Sequence, residues 1–129
     1  MATRSAPGSD FAAVAARLRE ILLPYGTQFA ITRDEPGAMA LEVHGREGQP
    51  SGYFAGIRVG KRYVSYYLMS VYAFPSELDG MSPALRRRMQ GKACFNFTRV
   101  DESLLAELAE LTARGAARWG TTGPLIPAR

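Results

Sequence analysis

The sequence predicts an α+β fold: a largely antiparallel sheet of about five strands, packed on one face by an N-terminal and a C-terminal helix, with a short helix between the last two strands. Three observations carry this reading. Apolar residues recur at spacings of three and four in the stretches Ser9 to Leu23 and Asp101 to Arg114, which gathers them on one stripe of a helix. Between those stretches, apolar and polar residues alternate in four segments, the pattern of strands buried on one face only. The chain has 129 residues, 47% hydrophobic and 22% charged, which suits one domain with its own core.

Residues 1–8 read as a disordered head, residues 9–119 as a single domain and residues 120–129 as a loose tail. Ser9 or Asp10 can accept from the free amides of the first turn, and Phe11, Val14, Ala15, Leu18, Ile21 and Leu22 form the buried stripe. Pro24 and Gly26 stop the helix. Gln28 to Thr32 reads as a short strand, Asp34 to Gly37 as a turn, and Met39 to His44 as a strand in which Met39, Leu41 and Val43 alternate with Ala40, Glu42 and His44. Gly45 to Gly52 is a polar loop.

The strongest local signal is the hairpin Tyr53 to Met69, whose glycine-first Gly60-Lys61 suits a two-residue type II′ turn. That turn pairs Val59 with Arg62, Ile57 with Val64, Ala55 with Tyr66 and Tyr53 with Leu68 on the core face. It leaves Arg58 with Tyr63, Gly56 with Ser65 and Phe54 with Tyr67 on the other face. Ser70 to Gly80 reads as irregular apart from one turn at Ser76 to Leu78. Ser82 then caps a short helix with Pro83 at its first position and Gly91 at its end. Ala93 to Val100 is the fifth strand, with Phe95 and Phe97 on one face and Cys94, Asn96 and Thr98 on the other. In the last helix Leu104, Leu105, Leu108, Leu111 and Thr112 form the buried stripe up to a break at Gly115, and Trp119 packs back onto the fold.

Several functional classes are disfavoured at once. The longest apolar run, Phe11 to Ala16, has six residues against the roughly 20 that a membrane span requires, and no basic head precedes an apolar stretch, so neither a membrane span nor a secretory leader is expected. The single cysteine, Cys94, excludes an intrachain disulfide and suits a reducing compartment, which places the chain in the cytoplasm. No metal-ligand spacing, phosphate loop or nucleophile signature occurs, and no cofactor is implied. The net charge of +4 comes from one region. Between residues 58 and 92, Arg58, Lys61, Arg62, Arg86, Arg87, Arg88 and Lys92 face only Glu77 and Asp79, whereas the first 57 residues and the last 37 are close to balance. That excess suits either a solvated surface or an anionic partner.

If the apolar strand residues face the helices, their neighbours face away, and that second face carries Glu42, His44, Phe54, Arg58, Tyr63, Ser65, Tyr67, Cys94 and Asn96. A simple solvated face is expected to hold Lys, Glu and Thr; this one holds three aromatics, the only histidine and the only cysteine. Arg58, Tyr63, Tyr67, Phe54, Ser65, His44, Cys94 and Asn96 are therefore candidates for binding a ligand or partner. The plain alternatives are a loop-anchoring His44, a packing Cys94 and tyrosines that serve as cross-strand residues. An anionic or aromatic small molecule, a protein partner or a second copy of the chain fits this face. Nucleic acid fits it poorly, because the positive excess is modest and Glu42 lies among the candidates. A non-catalytic binding module ranks first, since no spacing pairs His44, Cys94, Tyr63 or Glu42 as base and nucleophile; an enzyme of unknown reaction ranks lower.

The hairpin Tyr53 to Met69, Phe74-Pro75-Ser76, Gly91-Lys92-Ala93-Cys94-Phe95-Asn96-Phe97 and the closing Leu104 to Gly115 together resemble the YdhG-like family of small bacterial domains of unknown function. The resemblance covers about half of the chain and implies an antiparallel sheet with helices packed on it. Because one member of that family is regarded as a frataxin-like iron chaperone, the resemblance also implies an iron-delivery role as the alternative function. The first helix offers Asp10 and Glu20 beside Arg17 and Arg19 in place of an acidic ridge, and Ile31 to Pro50 lacks the Gly-Met-Pro element common in the family.

Overall fold

A computed structural model describes residues 7–120 and, from residue 10 onward, their side chains. Helix α1 spans Pro7–Leu22 and runs into a single 3-10 turn, Leu23–Tyr25. Strands β1 (Ala30–Glu35), β2 (Ala38–Glu42), β3 (Tyr53–Val59) and β4 (Val64–Leu68) follow, then the short helix α2 (Met69–Ala73), a 3-10 turn at Pro75–Leu78 and the one-turn helix α3 (Pro83–Arg86). The chain closes with β5 (Met89–Gln90), β6 (Cys94–Phe97) and helix α4 (Glu102–Trp119). The sheet has six strands in the order β1-β2-β3-β4-β6-β5, and every neighbouring pair is antiparallel. No helix among the described residues is long and apolar enough to cross a membrane.

One face of the sheet is the core. Phe11, Val14, Leu18 and Leu22 of α1 and Leu104, Leu105, Leu108, Leu111 and Ala116 of α4 are buried against Met39, Leu41, Ile57, Val64, Tyr66, Leu68, Phe95 and Phe97. Tyr66 is fully buried, and its hydroxyl lies 2.6 Å from Thr112 Oγ1. Thr112 spends its own proton on the Leu108 carbonyl at 2.8 Å, so Tyr66 is the donor of the shared bond. The edge strand β1 carries Arg33, Asp34 and Glu35 on exposed positions, charge that discourages pairing with another sheet edge. Asp34 also accepts from Arg19 at 2.7 Å, tying α1 to that edge.

The structure corrects the sequence reading at several elements. Helix α1 begins at Pro7, a residue whose fixed φ suits the first position of a helix, so Ser9 and Asp10 lie inside the first turn; Pro7 and Gly8 of the expected disordered head are helical, and the rest of that head lies outside the described residues. Of the expected loose tail, Gly120 is held, its carbonyl accepting from Gln28 Nε2 at 3.0 Å; the rest lies outside the described residues. Strand β1 runs three residues beyond its expected end and leaves only Pro36 and Gly37 as the turn. The β3–β4 connection has four residues, not two: Val59 pairs with Val64, and Gly60 N–H donates to the Tyr63 carbonyl at 3.0 Å. The shorter turn would have set Arg62 on the core face opposite Val59, where its charge would lose hydration. The resulting slip is two residues, so each hairpin residue outside a bulge keeps its expected face.

That bulge lies where β2 meets β3. Leu41 pairs with Ala55, but Glu42 pairs with Tyr53, so one extra residue on β3 breaks the alternation. Phe54 consequently turns into the core, fully buried, stacked on Phe29 at 4.3 Å between ring centroids and edge-on to Trp119 at 5.6 Å. Met69–Ala73 is helical where a strand end and irregular chain were expected. The helix expected to run to Gly91 stops at Arg86, and Met89–Gln90 pairs with β6 as a sixth strand, with Gly91 (φ 76°) in the turn between them. Gly115 does not end the last helix. It is buried inside α4 because a Cβ there would overlap Ser70 Oγ and Cβ of α2.

Candidate functional site

Among the described residues no helix covers the second sheet face. Its centre is Gly56, paired with Met39's neighbour Ala40 on β2 and with Tyr67 on β4. A Cβ at Gly56 would overlap the Tyr53 hydroxyl oxygen and lie 2.6 Å from the Met39 carbonyl oxygen. Its absence lets the Tyr53 ring lie along the sheet, a use of glycine within a strand that marks close approach. Tyr53 occupies this face for the same reason that Phe54 leaves it, the bulge. Burial, then the neighbouring Tyr67, Glu42 and Cys94, push the Tyr53 hydroxyl above its ordinary range, so it stays neutral.

Tyr53, Tyr67 and Arg58 border an open groove of about 760 Å³, whose far wall is Ala38, Ala40 and the Arg33–Glu35 ion pair (2.8 Å). Both tyrosines are half-buried, while Arg58 is exposed and forms no ion pair among the described residues. A second hollow of about 310 Å³ adjoins the groove at the β3–β4 loop and shares Arg58 and Tyr67 with it; Gly60, Lys61, Arg62, Tyr63 and Ser65 complete its lining.

A hydrogen-bonded chain holds the floor beside these hollows. Ser65 Oγ donates to Asn96 Oδ1 at 2.7 Å, and Cys94 Sγ donates to the same oxygen at 3.3 Å. Asn96 Nδ2 donates to Gln90 Oε1 at 2.7 Å, and that oxygen also accepts from the Tyr63 hydroxyl at 3.1 Å. Asn96 joins the chain through both ends of its carboxamide, Oδ1 accepting twice and Nδ2 donating, and Gln90 joins it through Oε1, which accepts twice. The chain fixes Tyr63 and with it the β3–β4 loop.

Six of the sequence-predicted residues come together here: Arg58, Tyr63, Ser65, Tyr67, Cys94 and Asn96. Phe54 does not, for it is a core residue. His44 does not either: β2 ends at Glu42, and His44 is exposed in the following loop. Strands β2 and β6 stand three strand spacings apart in the sheet, about 14 Å, so His44 and Cys94 are not a pair. Burial pushes the Cys94 thiol up, against a smaller opposing effect of Ser65, and a protonated thiol is a poor nucleophile. Among the described residues no three of His, Cys, Asp and Glu are grouped to hold a metal ion.

Sequence reasoning missed Tyr53, Gln90, Lys61 and Arg62 as members of the site. For Tyr53 a signal existed in Gly56, a glycine inside a strand; for Gln90 none did, because its place depends on a two-residue strand. The basic middle third is not one patch. Arg86 Nη2 donates to the Leu78 carbonyl at 3.3 Å, and Arg88 lies near Asp101, whereas Arg58, Lys61 and Arg62 surround the smaller hollow. Compared with known protein families, curated proteins and solved structures, the chain shows no match.

Proposed function

We propose that this protein is a non-catalytic binding module that takes a small ligand, one joining an anionic group to a flat aromatic body, on the open face of its sheet. The observation that carries the reading is the open groove between Tyr53 and Tyr67, with Arg58, which has no ion-pair partner among the described residues, at its rim. Tyr53 and Tyr67 are only half-buried and so realise only part of the roughly 1.5–3 kcal/mol that full burial of a large side chain supplies, and their rings supply a stacking surface with a polar tip. Arg58 supplies a planar, permanently charged donor for the anion. The neutral Tyr53 and the protonated Cys94 support a binding role over a catalytic one.

The test is a thermal-shift and calorimetric screen of aromatic carboxylates, sulfates and phosphates. The expected result is at least one ligand whose affinity falls tenfold or more, about 1.4 kcal/mol, in both Arg58→Ala and Tyr67→Ala, while the ligand-free variants unfold near the wild-type temperature. Ligands indifferent to both substitutions but lost on a change at the helix side would contradict the reading. Loss of self-association, with no ligand found, would reassign the face to a dimer interface.

A further inference from the structure

We infer that the small hollow at the β3–β4 loop is a phosphate site, and that the ligand of the open face is a nucleoside monophosphate or a phosphomonoester of the same shape. This rests on the binding role proposed above and names the ligand class. The hollow is lined by three cations from one hairpin, Arg58, Lys61 and Arg62, and by no carboxylate. On the helix side and the β1 edge, Arg17 is paired with Glu20 and Glu102, Arg19 with Asp34 and Arg33 with Glu35. None of the three hairpin cations has such a partner among the described residues. Converging, uncompensated cations suit a doubly charged phosphate better than a carboxylate, and the arginine fork matches its oxygens.

The hydroxyls in the hollow divide by what they already do. Ser65 and Tyr63 have given their protons to Asn96 and Gln90, whereas the Tyr67 hydroxyl has no partner among the described residues and can donate to an oxyanion there. Tyr67 also borders the larger groove, which makes it the hinge of a two-part site: phosphate toward the loop, planar ring toward Gly56 and Tyr53. Gly56 lies two residues from Arg58 on β3, about 7 Å along the strand, a spacing that a ribose can bridge between phosphate and base. Charge changes sign along the face. Glu42, beside Tyr53, accepts from Gly48 N–H at 2.6 Å and from Thr32 Oγ1 and has no cationic partner among the described residues. A polyanionic strand crossing the whole face would set a phosphate against Glu42, whereas a monophosphate places its charge only at the loop end.

The experiment is calorimetric titration of the full chain with adenosine 5′-monophosphate, adenosine and inorganic phosphate separately, repeated on the double variant Lys61→Ser/Arg62→Ser and on Tyr67→Ala. Both loop residues are exposed and leave the core untouched. The inference expects the monophosphate to bind at least tenfold more tightly than adenosine or phosphate. It expects the loop variant to lose that advantage while still binding adenosine, and Tyr67→Ala to weaken both nucleoside ligands. Equal binding of monophosphate and adenosine, unchanged in the loop variant, overturns the phosphate site but leaves the groove as a binding site. Phosphate binding as tight as that of the monophosphate reduces the hollow to an ion site and overturns the nucleotide assignment. No binding of any of the three probes overturns the inference, and the groove reading then stands or falls on the wider aromatic screen.

Discussion

Tyr66 and Tyr67 are adjacent on β4 and chemically identical, yet they belong to different environments. Tyr66 points into the helix-covered face, is fully buried and donates its hydroxyl proton to Thr112. Tyr67 points to the open face, is half-buried and borders both hollows. The same side chain therefore stabilises the fold on one side and presents a binding surface on the other, and alternation along one strand separates the two tasks. Across the sheet the helix face is mostly apolar, while on the open face Ser65, Cys94, Asn96, Gln90 and Tyr63 form a chain of bonds beside Arg58, Lys61 and Arg62, which have no ion-pair partner among the described residues.

The largest expected contrast between the faces is in stability. Leu108 is fully buried beneath the sheet, and Leu108→Ala should cost about 2–5 kcal/mol through the cavity it leaves, read by urea denaturation. Tyr67→Ala on the open face should cost far less. Similar losses for both would mean that the two faces are not divided as described.

A smaller and more specific contrast separates Tyr66→Phe from Tyr67→Phe. The first removes a buried hydrogen bond and leaves Thr112 short of a partner, for about 0.5–1.5 kcal/mol; the second should fall within about 0.5 kcal/mol. Equal effects would contradict the division between a bonded tyrosine in the core and one on the open face.

Glu77 is buried, both of its carboxylate oxygens lack a hydrogen-bond partner, and the Arg118 guanidinium stands off at 3.8 Å. Burial raises its pKa above the ordinary 4.5, with the nearby Ser70 hydroxyl, Arg118 and Arg114 opposing. The folded state therefore holds this proton more tightly than the unfolded chain does. Its contribution to stability is full below about pH 4.5 and is lost as pH rises through the raised folded value. Asp34, held down by Arg19, and Asp101, held down by Ser103 and the Leu104 amide, act in the opposite direction as pH falls. Glu77→Gln should thus gain on wild type as pH rises from about 4.5 toward neutrality in denaturation measured across that range. A wild-type-minus-variant difference independent of pH would show that the carboxyl titrates as in the unfolded chain.

The two helices and the alternating strands were legible because each pattern needs the other for burial: the stripe of Phe11, Val14 and Leu18 and the row of Leu41, Ile57 and Tyr66 have no other apolar surface to meet. The hairpin faces survived an incorrect turn because the slip was two residues. What was not legible depends on pairs of elements. The bulge that exchanges Tyr53 for Phe54 is a property of β2 against β3, and periodicity read along one strand cannot contain it. Gly115 has the look of a helix stop, and only the approach of Ser70 explains its place inside α4. Gln90 entered the site through pairing with Cys94 across a strand of two residues, shorter than any run from which alternation can be read.

The central claim, that binding belongs to the open face, is tested most directly by mapping backbone amide shifts while the isotopically labelled protein is titrated with a library of aromatic anions. The account predicts that binders shift Gly56, Arg58, Lys61, Arg62 and Tyr67 and leave Leu18 and Leu108 unmoved. Binders whose shifts gather on α1 or α4, with Gly56 and Tyr67 silent, would contradict it.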